Sequence, residues 1–225
     1  MKKLAVYDFC QTIVDFETGD GFIHFIMQKT GNKKMKLIDT ARKLLRKMRI
    51  IKLIQHFYRG RCSLNKQLVL CQLRGLERRV INKYAEEYYQ EIIKKHLINF
   101  VIKNIEQQKE KGYYIVIVSA SYYPFLKLFC DDYNIDLLIT NKFEYDRNGM
   151  FTGNIERDDC ISKNKVRYLL EALELIDGKY EITESYGDSE SDKYILNIAT
   201  QGYVISKTNS KAWVKNTNFK EIVYE

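Results

Sequence analysis

The chain has 225 residues, 45% hydrophobic and 29% charged, ordinary globular values that exclude a disordered chain. No apolar run approaches the ~20 residues of a membrane span. Its formal charge of +8 is concentrated: between Lys29 and Arg61 twelve Lys or Arg stand against one acid, Asp39, so this segment carries +11 and the rest −3, which excludes a nucleic-acid footprint spread over the whole protein.

Leu4-Ala5-Val6-Tyr7 is an apolar run too short for helical periodicity, and it reads as a buried strand stopping at Asp8. The four apolar residues between Lys3 and Asp8 are fewer than a signal peptide needs, so a cytoplasmic protein is expected. Ligands of open α/β sheets sit beyond the carboxyl ends of the strands. Asp8 is therefore a candidate nucleophile or metal ligand; the alternative is an aspartate that caps a helix.

From Phe16 to about Lys111 the pattern is helical nearly throughout, punctuated by Gly60 and Gly75. Within it Leu37, Ile38, Ala41, Leu44, Leu45 and Met48, continuing to Tyr58, follow three-and-four spacing and predict an amphipathic helix with a basic outer face. Such a face is either simply solvated, or attracts a phosphorylated substrate, or touches an anionic membrane surface. No recognised binding motif accompanies it, which argues against a specific nucleic-acid partner. Leu76 to Lys95 continues as a helix rich in Glu, Lys and Tyr. The cysteines at 10, 62, 71, 130 and 160 contain no Cys-x-x-Cys pair, so neither a disulfide framework nor a zinc site is indicated.

Lys111-Gly112 ends the helical block. Tyr113 to Val118 predicts a second buried strand ending at Ser119, and Tyr122 to Cys130 a helix with Pro124 near its first turn. Asp136 to Thr140 reads as a third strand, and Phe143 to Ile155 as a hairpin around Arg147-Asn148-Gly149. Ser162 to Leu175 is an amphipathic helix with Lys165 in its first turn, where the dipole disfavours a merely structural lysine. Tyr180 to Tyr186 predicts a fourth strand running into Gly187-Asp188-Ser189-Glu190-Ser191-Asp192, followed by a helix and a fifth strand at Gly202 to Ile205. Strands alternating with helices predict a parallel sheet covered on both faces.

Three strand ends thus carry matching chemistry. Carboxylates from two strands, Asp8 and Asp188, can hold a hard cation such as Mg2+, which prefers oxygen ligands and meets phosphate. A serine hydroxyl (Ser119) and a lysine ammonium (Lys165) are the donors that phosphoryl oxygens need.

In this order the residues resemble the haloacid dehalogenase-like hydrolase superfamily. Asp8-Phe9-Cys10-Gln11-Thr12 matches its first motif, Ser119 its second, Lys165 its third and Gly187 to Asp192 its fourth, over essentially the whole chain. The helical insertion straight after the first motif, Phe151-Thr152-Gly153 and the run Cys160 to Val166 are most similar to the phosphoserine-phosphatase-like branch, where the insertion caps the active site. The architecture expected is α/β: a Rossmann-like parallel-sheet core, residues 1–14 and 97–225, with a helical cap, residues 15–96, inserted after the first strand.

The resemblance implies Mg2+-dependent hydrolysis of a small phosphate monoester, an amino-acid, sugar or lipid head-group phosphate. Asp8 would become an aspartyl phosphate, Ser119 and Lys165 would hold the phosphoryl oxygens, and Asp8 and Asp188 would bind Mg2+ with Asp192 supporting its water shell. Glu17 matches a position that receives a substrate ammonium group, and Arg61-Cys62-Ser63-Leu64 is similar to the segment bearing a carboxylate-binding arginine.

Cys10 departs from the pattern, which usually has here a second aspartate acting as general acid and then general base. The metal contact from this position is a backbone carbonyl, so cysteine is compatible with Mg2+. A thiol with a pKa near ~8.5 is a poor proton donor, and anionic neighbours raise it further. A slow phosphatase is therefore expected, with two alternatives: a phosphotransferase, or a catalytically weak protein whose basic cap docks on an anionic membrane or a polyanion. A nucleophilic role for the Cys10 thiol would need an activating histidine, and none is close in sequence.

Overall fold

The computed structural model describes residues 1–31, 33–176 and 178–224, with side chains throughout except at 33–35. Its strands are β1 (Lys2–Tyr7), β2 (Tyr114–Tyr122), β3 (Leu137–Asn141), β4 (Phe143–Tyr145), β5 (Phe151–Ile155), β6 (Tyr180–Gly187), β7 (Gln201–Lys207) and β8 (Lys220–Tyr224). Six form one parallel sheet in the order β3-β2-β1-β6-β7-β8, and β4 and β5 pair as an antiparallel hairpin.

Leu4, Ala5, Val6 and Tyr7 are all fully buried because both faces of the sheet are covered, which is why β1 reads as an unbroken apolar run. Leu4 and Val6 pack with Tyr168 and Leu169 on one face; Ala5 and Tyr7 join Ile105 and Phe129 on the other. From β1 the chain builds outward to β2 and β3, then returns to place β6 on β1's opposite side. The strand order reverses at β1 and β6, and that switch point opens the crevice in which such sheets bind ligands.

Five helices lie between β1 and β2 ahead of the sheet-packing helix α6: α1 (Thr18–Thr30), α2 (Lys33–Lys47), α3 (Ile50–Gln55), α4 (Leu64–Leu70) and α5 (Arg78–Glu91), with α6 at Asn99–Glu110. They are followed by α7 (Tyr123–Asp132), α8 (Lys163–Glu174) and α9 (Lys193–Asn197). Phe22 of α1 and Tyr88 of α5 pack with Phe125 of α7, and Phe25 packs on Tyr88, joining the inserted helices to the sheet layer. The chain leaves and rejoins that layer at one place, where Ile98 N donates to Ile13 O (2.8 Å) and Asp15 N to His96 O (3.1 Å).

The basic segment differs from its expected form. It is two helices, broken where Arg49 adopts a left-handed φ of 59°. Its polarity is also reversed: Asp39 and Arg42 are buried, ion-paired at 2.8 Å, and Arg42 reaches Asn65 of α4 (3.0 Å). The pair satisfies its own charges and so tolerates the inward side. Leu37, Leu44 and Met48, expected to face inward, are exposed. The sixth strand, β8, was not anticipated; among the described residues no helix is long and apolar enough to cross a membrane.

Candidate active site

Asp8 N donates to Tyr186 O at 2.8 Å, so the ladder between β1 and β6 ends with the Asp8 carboxylate projecting past it. On β6, Gly187 leaves room for Asp192: a Cβ there would lie 2.6 Å from the Asp192 Cβ. Asp192 Oδ2 accepts from the backbone N–H groups of Asp188 (3.2 Å) and Ser189 (3.0 Å), fixing the turn that follows the strand. Lys165, in the first turn of α8, donates to Asp8 Oδ1 (2.5 Å) and Asp192 Oδ1 (2.7 Å) and is 2% exposed.

These charges shape one another. Burial pushes Asp8 up to about 7; Lys165 opposes the rise, and Asp192 and Asp188 add to it. Asp188 is pushed up to about 6, again by burial, against the pull of Lys211. Asp192 lies below its ordinary value, because Lys165 and Ser189 outweigh its burial. Lys165 is raised: burial alone would lower it, and the two carboxylates overcome that.

Carboxylate oxygens of Asp8, Asp188 and Asp192 all lie within 4.8 Å of one another. Lys165 takes one oxygen each from Asp8 and Asp192, and Lys211 takes Asp188 Oδ2 (3.1 Å), which leaves one oxygen on Asp8 and one on Asp188 outside these ion pairs. A buried, anionic, all-oxygen donor set of this kind fits a hard divalent cation such as Mg2+.

Asp8, Ser119, Lys165 and Asp188 line a cavity of about 340 Å³, to which the inserted helices contribute Glu17 and Lys66. Ser119 is fully buried and its Oγ accepts from Ser121 N (3.2 Å), at the point where the pairing of β2 with β3 slips register. Cys10 Sγ lies 3.0 Å from Thr18 Oγ1, which in turn lies 2.6 Å from Ser121 Oγ. Burial, then Asp8 and Glu17, push the Cys10 thiol up to about 12. Glu17 accepts from Gln11 at 2.7 Å.

Asp8, Cys10, Glu17, Ser119, Lys165, Asp188 and Asp192 all line one cavity. Arg61 is not among its lining residues. It donates to Ile155 O (2.6 Å) and to Glu144 (2.8 Å), so the hairpin occupies its guanidinium. Two lysines went unread in the sequence. Lys66 of α4 binds Asp159 Oδ1 (2.6 Å) and Ala120 O (2.7 Å), and Lys211 holds both the carbonyl and the carboxylate of Asp188. Neither has a local signal, because topology alone sets their partners.

Buried carboxylates at the ends of two adjacent central strands, Asp8 and Asp188, with Lys165 joining Asp8 to Asp192 in the turn beyond, define an α/β enzyme working at the switch point of its sheet. The chain belongs to the haloacid dehalogenase-like hydrolase family, whose model matches residues 5–197, and is thereby a hydrolase. No curated protein matches the sequence. Solved structures similar to it include a protein of unknown function from Bordetella pertussis Tohama I (18% identity, 99% of this chain and 98% of that one, TM-score 0.76). A phosphoserine phosphohydrolase-like protein from Francisella tularensis subsp. tularensis SCHU S4 is also similar (18%, 99% and 95%, 0.63). A third is a phosphoserine phosphatase solved as a phospho-aspartyl intermediate analogue (18%, 91% and 86%, 0.54). At such identities the likeness is one of fold, and function has to be argued from the site.

Proposed function

We propose that the chain is a slow, Mg2+-assisted phosphatase that cleaves a small phosphate monoester through an aspartyl phosphate on Asp8, with residues 15–96 capping a core of 1–14 and 97–225. The observation that carries this reading is the Asp8–Lys165–Asp192 chain of ion pairs beside Asp188 in one cavity. Asp8 attacks phosphorus as the ester oxygen leaves; water then attacks the phosphorus of phospho-Asp8, releasing phosphate and restoring the carboxylate. Lys165 favours the ionised form of Asp8 that attack requires, and with Ser119 offers donors to the phosphoryl oxygens. Mg2+ held by Asp8, Asp188 and the Cys10 carbonyl, with Asp192 behind its waters, would neutralise charge on the phosphoryl group. Glu17 lines the same cavity, and its carboxylate would suit a substrate bearing an ammonium.

With its thiol near 12, Cys10 is a poor donor to the departing oxygen and a poor base toward water. The same feature favours a second reading, transfer of the phosphoryl group from a long-lived phospho-Asp8 to an acceptor other than water. A panel of phosphate monoesters assayed with Mg2+ tests the reaction class. Asp8→Asn should abolish turnover, and Lys165→Ala should lower it by about 10²–10³-fold. Full activity in Asp8→Asn overturns the assignment.

A further inference from the structure

Helices α2 and α3 expose what a soluble helix pair normally hides. Leu37 (71% exposed), Leu44 (57%) and Met48 (59%) fall on one side of α2 and the turn after it, and Leu53, Ile54 and Phe57 extend the apolar surface across α3. Lys36, Lys43 and Lys47 run as a row beside the stripe, and Arg49, Lys52 and Arg59 continue the positive charge; all six are exposed. The inward side of α2 is already taken by the Asp39–Arg42 pair bonded to α4, so the helix has no second face with which to bury its leucines.

We infer that α2 and α3 form a peripheral docking surface for an anionic lipid bilayer, with the leucine stripe entering the acyl boundary and the lysine row lying among headgroup phosphates. Charge selects the occupant. A second copy of the chain would bring two segments of +11 face to face, and a nucleic acid would pair with the lysines but leave the aliphatic stripe in water. The inference does not depend on the hydrolytic reading, because no residue of the stripe or the lysine row lines the cavity.

The full chain should sediment with phosphatidylcholine vesicles containing phosphatidylglycerol, not with phosphatidylcholine alone, and raised salt should release it. Leu44→Asp with Met48→Asp, and separately Lys36→Glu with Lys47→Glu, which spare the Lys43–Asp39 ion pair (2.6 Å), should each weaken binding by about tenfold or more. All four positions are exposed, and an unchanged circular dichroism spectrum confirms the fold of each variant. Absence of binding to the anionic vesicles at low salt overturns the inference. So does undiminished binding by the Leu44→Asp, Met48→Asp variant, which would reduce the surface to a polyanion site. Stripe-dependent binding to polyglutamate with no binding to vesicles, or a dimer that Leu44→Asp dissolves, would assign the stripe to a protein partner and overturn it equally.

Discussion

Cys10 stands where a proton must be given and later taken, and its surroundings make it poor at both. It is half-buried beside Asp8 and Glu17, with the Thr18 hydroxyl 3.0 Å from its sulfur. A carboxylate placed there would find that hydroxyl as a ready donor. Cys10→Asp should therefore raise hydrolysis by about 10²–10⁴-fold, most for esters whose leaving oxygen needs protonation. An activated aryl phosphate needs little such help, so a gain on that substrate would report attack of water on phospho-Asp8. Lower activity on every substrate, with fold and Mg2+ affinity retained, would show a positive role for the thiol. At this scale Asp8 and Asp188 were legible, because a carboxylate directly after a strand has one place to go, whereas Ser119, expected at a strand end, lies inside β2 at its register slip. Arg61 misled because its partner, Glu144, lies on a hairpin 83 residues away.

Among the elements, β1, β2 and β6 were readable because they are central strands. The edge strand β8 opens on Lys220 and Glu221, and its three apolar residues, Ile222, Val223 and Tyr224, are too few to stand out and none of them is fully buried. Helix α2 shows the limit of periodicity, which identified the apolar stripe but not the side on which neighbours would lie. At the end of β6, Gly187 is fixed by packing: Asp192, which a Cβ would strike, is anchored by Ser189 and Lys165 and cannot retreat. Gly187→Ala should cost about 1–3 kcal/mol, lowering Tm by a few degrees, and should impair catalysis beyond that loss by displacing Asp192 and Asp188. Thermal unfolding and an activity assay on the same sample check both; wild-type values in each would refute the packing argument.

For the molecule as a whole, the junction between the sheet and the inserted helices matters most. Asp15 is ion-paired there with Lys207 of β7 (2.8 Å) and hydrogen-bonded to His96 Nδ1 (2.9 Å). Burial works against its charged form, yet hydrogen bonds from Lys207 and His96 win and hold the carboxyl below its ordinary value. A carboxylate depressed in the folded state contributes stability above its unfolded pKa, and that contribution disappears as pH falls through the folded one. Asp15→Asn should lower Tm by about 1–4 °C at neutral pH, corresponding to about 0.5–1 kcal/mol for a partly exposed pair. The difference should shrink as pH falls below the ordinary carboxylate value near ~3.9 and vanish only below the depressed folded-state value. An equal deficit at both pH values in calorimetry would show that the ion pair is not the cause.

The same junction makes the inserted helices a cassette. The two chain segments meet through the Ile98–Ile13 and Asp15–His96 backbone hydrogen bonds, a closed neck beyond which the helices touch the core again through Phe22 against Phe125 and Lys66 on Ala120 O. Lengthening the intervening chain adds only a logarithmic closure cost, about 0.6 kcal/mol per doubling. Residues added in the loops between the inserted helices therefore leave the strand order alone, while the carboxylates that follow β1 and β6 stay where the sheet puts them.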